Sequence, residues 1–91
     1  MEKMIMINFK KYSKILKAIS HPHRLEIVIN LYHNECSVKE CQKNMHLPQS
    51  TISQHLRILR EAEVIVDMRD GTTVCHKVVD PFVIDMIKIL E

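Results

Sequence analysis

At 91 residues, with a formal net charge of +2 and nearly half of its side chains hydrophobic, the chain suits one small folded domain and excludes a disordered or fibrous one. Two Tyr, two Phe and no Trp mean a core built from Ile, Val, Leu and Met, while one Gly and three Pro leave little room for linkers. The weak positive excess does not by itself point to nucleic acid, no apolar run reaches membrane-spanning length, and Met1 to Lys10 is too short and too charged for a secretory leader, so a reducing cytoplasm with three resting thiols is expected.

The first predicted element is a helix capped by Asn8 and running to about Ala18, with Ile5, Phe9, Tyr12, Leu16 and Ile19 at helical spacing on one face. Lys3, Lys10, Lys11, Lys14 and Lys17 crowd this segment against Glu2, as a solvated face or a phosphate-facing one. Pro22 opens a second helix, since proline suits a first helical turn, and Leu25, Val28, Ile29 and Tyr32 form its apolar stripe up to His33. Ser37-Val38-Lys39-Glu40 fits a capping box, with Glu40 reaching back to Ser37, at the head of a short helix ending near Met45. A tight link, His46-Leu47-Pro48, leads to a fourth helix from Gln49 to Glu61, so the third and fourth helices read as a helix-turn-helix.

Beyond Glu61 the period changes from helical to alternating. Val64, Val66 and Met68 interleave with Ile65, Asp67 and Arg69, Val74 to Val79 is β-branched, and Asp70-Gly71 between them signals a hairpin. Asp80-Pro81 then caps a last helix to Leu90 that is apolar nearly all round, which asks for cover beyond its own small domain.

The fourth helix divides chemically. Ile52, Leu56 and Leu59 fall on one side, and Ser50, Ser53, Gln54 and Arg57 on the other. Short polar side chains with Gln and Arg suit base edges in a major groove, and Ser50 and Thr51 near the helix start suit a phosphate.

Lys17-Ala18-Ile19-Ser20-His21-Pro22-His23-Arg24-Leu25 resembles the K-A-L-S-D-P-T-R-L of the arsenic-repressor/metallothionein-repressor (ArsR/SmtB) family. The stretch from Leu47 to Ala62 resembles its L-S-Q-S-T-V-S-R-H-L-K-V-L-R-E-A, and Arg69-Asp70-Gly71 its wing-tip R-E-G; the likeness covers about residues 15 to 80. It implies a winged helix-turn-helix that dimerises through its first and last helices and represses transcription until a signal releases the operator. The family's C-V-C arsenic site is absent, because Ser37 and Lys39 stand there. Its zinc pattern keeps Asp80 but has Phe82 in place of the His, and the persulfide-sensing pair is missing, with Ile29 at one position. His46 replaces the family's turn glycine and tolerates a left-handed backbone better than most residues.

Cys36 and Cys41 occupy the two positions of a hydrophobic staple around Ser37, either as small buried hydrophobes or as a reversible disulfide that would strain the helix start. Cys75 and His76, adjacent on a strand, point to opposite faces and read as plain strand residues. His21, His23 and His33 lack matched spacing to any cysteine, and protonation of the six histidines would tune DNA affinity only as a general electrostatic effect.

The expectation is therefore an α+β, mainly α, winged helix-turn-helix of order ααααββα, one domain over residues 1–91, homodimeric and cytoplasmic. It reads duplex DNA at a pseudo-palindromic operator, with no cofactor, no metal site and no enzymatic motif. Gln49, Ser50, Thr51, Ser53, Gln54, His55 and Arg57 on the fourth helix, with Arg69, Thr72 and Thr73 on the wing, are the predicted DNA contacts, and Cys36 and Cys41 the candidate redox pair. Two other readings stay open: a winged helix used for protein interaction, and a metal sensor with unfamiliar ligands.

Overall fold

The computed structural model describes residues 6–91, so Ile5, Lys3 and Glu2 of the sequence reading lie outside it. Its elements are α1 (Phe9–Ile19), α2 (Pro22–His33), α3 (Val38–Met45), α4 (Gln49–Glu61), β1 (Ile65–Asp70), β2 (Thr73–Val78) and α5 (Pro81–Leu90). This is the expected winged-helix order. Among the described residues no helix is long and apolar enough to cross a membrane.

Local chemistry accounts for most boundaries. Asn8 Oδ1 accepts the Lys11 amide at 3.0 Å, and Asp80 Oδ1 accepts that of Val83 at 3.0 Å, each satisfying an orphan donor of a first helical turn. Pro22 and Pro81 sit in the first turns of α2 and α5. The capping box at α3 does not form: Ser37 makes no side-chain cap bond, and its buried hydroxyl faces Cys41 Sγ at 4.0 Å. Asn34 organises that start instead, its side chain accepting from the Cys36 amide and its carbonyl from the Ser37 amide.

α3 ends at His46, whose backbone is left-handed at φ 54°, with the Leu47 amide bonded to the Gln42 carbonyl. The same device closes α4 at Glu63, φ 61°, where the Val64 amide reaches the Leu59 carbonyl. The wing is an antiparallel pair in which Asp70 opposes Thr73, so the connecting loop is Gly71-Thr72. Gly71 holds φ +64° at the first central position, a conformation glycine adopts without a side-chain penalty.

The buried apolar residues form one continuous cluster, from Ile15 and Ile19 of α1 through Ile27, Val28 and Leu31 of α2 to Leu59, Val64, Val83 and Ile87. Two predicted faces are corrected. On α1 the buried side is Ile15, Ala18 and Ile19, while Phe9 and Leu16 are 70% and 46% exposed. The apolar surface of this helix is thus two adjacent stripes: Phe9 and Leu16 face solvent, while Tyr12 packs at the core's edge and its ring meets that of Phe82 of α5 edge to face at 5.5 Å. On α2 the stripe is turned, with Ile27 and Leu31 fully buried and Ile29 and Tyr32 only partly so. The reason is that α2 packs against α1, α3, α4 and β2 at once.

Candidate nucleic-acid interface

Along α4 the two sides separate as the sequence suggests. Ile52, Leu56 and Leu59 are 2%, 7% and 0% exposed, which anchors the helix on the core. Gln49, Ser50, Ser53, Gln54 and Arg57 face solvent, and Thr51 is half-buried. The inner side stabilises the outer: burying three branched side chains contributes about 1.5–3 kcal/mol each, enough to hold the polar row in one orientation.

His55 is the exception among the expected contacts. It is buried, because it falls three residues after Ile52 and four before Leu59, on the core stripe. Its ring lies 5.0 Å from that of His21 and 5.8 Å from that of His23, and its Nδ1 is 3.4 Å from Arg24 Nη1. Arg24 is itself fixed by donating to the Ala18 carbonyl at 2.6 Å. Burial, then the neighbouring His21, Arg24 and His23, hold the His55 pKa below the ordinary imidazole value. His21 is lowered by desolvation, Arg24 and His23, and its Nδ1 accepts the His23 amide at the start of α2.

Arg57 is exposed but not idle. Its Nε donates to Glu61 Oε1 at 2.9 Å, an i,i+4 pair in solvent. Such pairs contribute at most about 1 kcal/mol, so a phosphate or a base edge can replace Glu61.

A groove runs between the helix-turn-helix and the wing. Lys39, Gln42 and Lys43 of α3, Ser53 and Arg57 of α4, and Thr72 and Thr73 of the wing all line it. The three α3 residues were not among the expected contacts, although Lys39 and Lys43, four apart on a predicted helix, share one basic face. Arg69, Thr72 and Thr73 are exposed at the wing. The wing is braced from below by Asp67, which accepts from Arg60 Nη2 of α4 at 2.9 Å and pairs with His76 Nδ1 of β2 at 2.8 Å. Burial acts to raise the Asp67 pKa, but the hydrogen bonds from His76 and Arg60 outweigh it and leave the carboxyl below its ordinary value.

Of the two readings of Cys36 and Cys41, the structure has Cys41 as a small buried residue and no bond between the pair, and the expectation of three thiols gives way to a single disulfide elsewhere. Cys36 is bonded to Cys75 of β2, with Cα atoms 4.4 Å apart. The His76 amide donates to the Glu35 carbonyl at 2.7 Å, which draws the loop before α3 onto β2 and sets Cys36 beside Cys75. Cys41 is a free, buried thiol whose pKa burial pushes up, the environment of an unreactive cysteine.

The model of the arsR family of bacterial regulatory proteins matches residues 21–66. The transcriptional repressor PagR of Bacillus anthracis is 38% identical over 80 residues, spanning 87% of this chain and 80% of that protein. The structure of HlyU from Vibrio cholerae superposes with a TM-score of 0.83 at 34% identity, covering 94% of both chains, and HlyU is named a transcriptional activator. The repressor SmtB of Mycobacterium tuberculosis is 36% identical over 67 residues, and the chain spans half of its length.

Proposed function

The chain belongs to the arsR family of bacterial regulatory proteins, and we propose that it is a cytoplasmic, non-catalytic repressor that binds duplex DNA as a homodimer at a pseudo-palindromic operator. The observation that carries this reading is the solvent-facing row of Gln49, Ser50, Ser53, Gln54 and Arg57 on a helix whose opposite side is locked into the core. Ser53, Gln54 and Arg57 meet base edges, the α4 start and the α3 lysines meet phosphates, and Arg69, Thr72 and Thr73 touch the flanking backbone or minor groove.

Dimerisation supplies the second half-site and the missing cover. Phe9, Leu16, Phe82, Ile89 and Leu90 leave an apolar face on α1 and α5 that a single copy does not bury. Repression is the sense in which PagR and SmtB are named, and it is the sense proposed here, while HlyU is named an activator.

Selection of bound sequences from random duplex DNA, followed by binding at rising salt, tests the reading. We expect a two-fold symmetric site and a steep fall of affinity with salt, as counterions are released. Salt-independent binding, or none, would favour a protein-interaction module instead. In parallel, Ile89→Glu with Leu16→Glu should give a folded monomer by light scattering that has lost operator binding.

The Cys36–Cys75 bond favours one addition to this reading, a response to thiol oxidation. A disulfide in a reducing compartment is usually transient, and this one joins the helix-turn-helix to the wing, with Cys36 exposed.

A further inference from the structure

We propose that His21, His23 and His55 form a binding site for a divalent ion of the zinc, nickel or copper class, joining the start of α2 to the inner side of α4. One ring nitrogen from each of the three lies within 4.8 Å of the others, and among the described residues no other three side chains of metal-binding type are so grouped. The rings are mutually close, with centroids 5.0, 5.2 and 5.8 Å apart. The two halves of the site come from opposite ends of the domain's sequence logic: His21 and His23 flank Pro22 where α2 begins, and His55 sits on the buried stripe of α4.

Coordination needs only a local contraction. Zinc–nitrogen bonds of about 2.0–2.1 Å in a tetrahedron place ligand nitrogens roughly 3.4 Å apart, so nitrogens already within 4.8 Å of one another close by at most about 1.4 Å, a shift within reach of side-chain rotation. Each ring must present a lone pair, so the His21 bond to the His23 amide and the long Arg24 contact to His55 give way, two local interactions exchanged for three coordinate bonds. With three protein ligands the fourth position is left to water or an external ligand, the open form of such sites.

The surroundings set which ion is accepted. The Arg24 guanidinium and the positive end of α2 both oppose a cation. Hard ions that bind by charge alone, such as magnesium and calcium, are therefore excluded, and ions that bond strongly to imidazole are retained. Since His55 lies behind Ser53 and Gln54, an occupied site ties α2 to the reading helix and alters operator affinity; that coupling, unlike the site, rests on the DNA-binding reading above.

The test uses the full, oxidised chain near pH ~7.5, where imidazole is mainly neutral. Co2+ and Zn2+ are titrated against a chromophoric chelator. We expect one ion per chain, a visible Co2+ spectrum of tetrahedral intensity without thiolate charge-transfer bands, and affinity reduced about tenfold or more in His23→Gln but not in His33→Gln. His23 is half-buried, and among the described residues its ring takes part only in the contacts with the His21 and His55 rings, so this variant should keep the fold, which circular dichroism checks. Absence of stoichiometric uptake, equal uptake by His23→Gln, or a thiolate band would overturn the site. Operator affinity is then compared with Zn2+ and with chelator: equal values alongside intact metal binding overturn the coupling alone, whereas loss of all DNA binding overturns the regulator reading and leaves the site standing.

Discussion

Cys36 and Cys75 are covalently joined across 39 residues of sequence, and through them the loop that starts α3 is tied to the second strand of the wing. The neighbouring Glu35–His76 backbone bond holds the same junction, so the disulfide closes a contact that the fold already makes. Closing a loop of this length removes chain entropy from the unfolded state worth up to about 4 kcal/mol. Reduction, or Cys36→Ser, should lower the melting temperature and weaken operator binding several-fold by loosening the wing. Cys41→Ala should leave the redox response unchanged. Melting curves and operator titrations with and without dithiothreitol decide the matter; identical curves in both states would remove the bond from any regulatory account.

The Arg57–Glu61 pair gives the reading helix a sign that can be checked. Glu61 places a negative charge beside the one arginine of the exposed row and engages its Nε. Glu61→Gln should therefore tighten operator binding and steepen its salt dependence, because the guanidinium is released and a repulsive charge removed. Arg57→Ala should cost about 1–3 kcal/mol on the operator if Arg57 reads a base, with relaxed preference at that position alone. A uniform loss on every sequence would assign it to phosphate.

How far the sequence carried can be judged from particular residues. Boundaries were legible where a side chain closes its own helix, as Asn8 and Asp80 do, or where proline sets the first turn. The outer row of α4 was legible for the same reason, since helical spacing alone separates Ser53 and Gln54 from Ile52 and Leu56. His55 was misassigned because its polarity outweighed its position: the spacing from Ile52 already placed it inside. The α2 stripe was turned because that helix is covered on several sides, which a single-face pattern does not capture. Nothing local marks Cys75 as the partner of Cys36; that contact is made by the tertiary fold, as is the meeting of His21 with His55.

Asp67 makes an acid limb of stability. Its pKa is lowered in the folded protein, so its contribution is fully present above the unfolded value of about 3.8 and is lost as pH falls through the lower, folded value. Protonation weakens its contacts with Arg60 and His76 together and releases the wing from α4. Thermal melts between pH ~6 and ~2.5 should show the wild type losing more stability below pH ~4 than Asp67→Asn, whose amide has no charge to lose. Parallel acid limbs in the two proteins would mean that the carboxylate does not brace the wing.

Backbone strain offers a test in both directions. His46 holds φ 54° at the turn between the two helices of the helix-turn-helix, a conformation that costs a residue with a side chain more than it costs glycine. His46→Gly removes that strain, and the greater freedom of glycine in the unfolded chain offsets part of the gain, so a net stabilisation of about 0.5–1 kcal/mol is expected. For a domain of this size that is a rise of roughly 2–8 °C in Tm. Gly71 is the mirror case: at φ +64° a methyl group there would meet nothing within 4 Å, so Gly71→Ala acts through the backbone, its strain in the fold offset in part by lost freedom in the unfolded chain. It should lower stability by about 1 kcal/mol without disturbing the core. If His46→Gly instead melted lower than the wild type, the imidazole would be holding the turn through a contact of its own, and relief of strain would not be what governs that position.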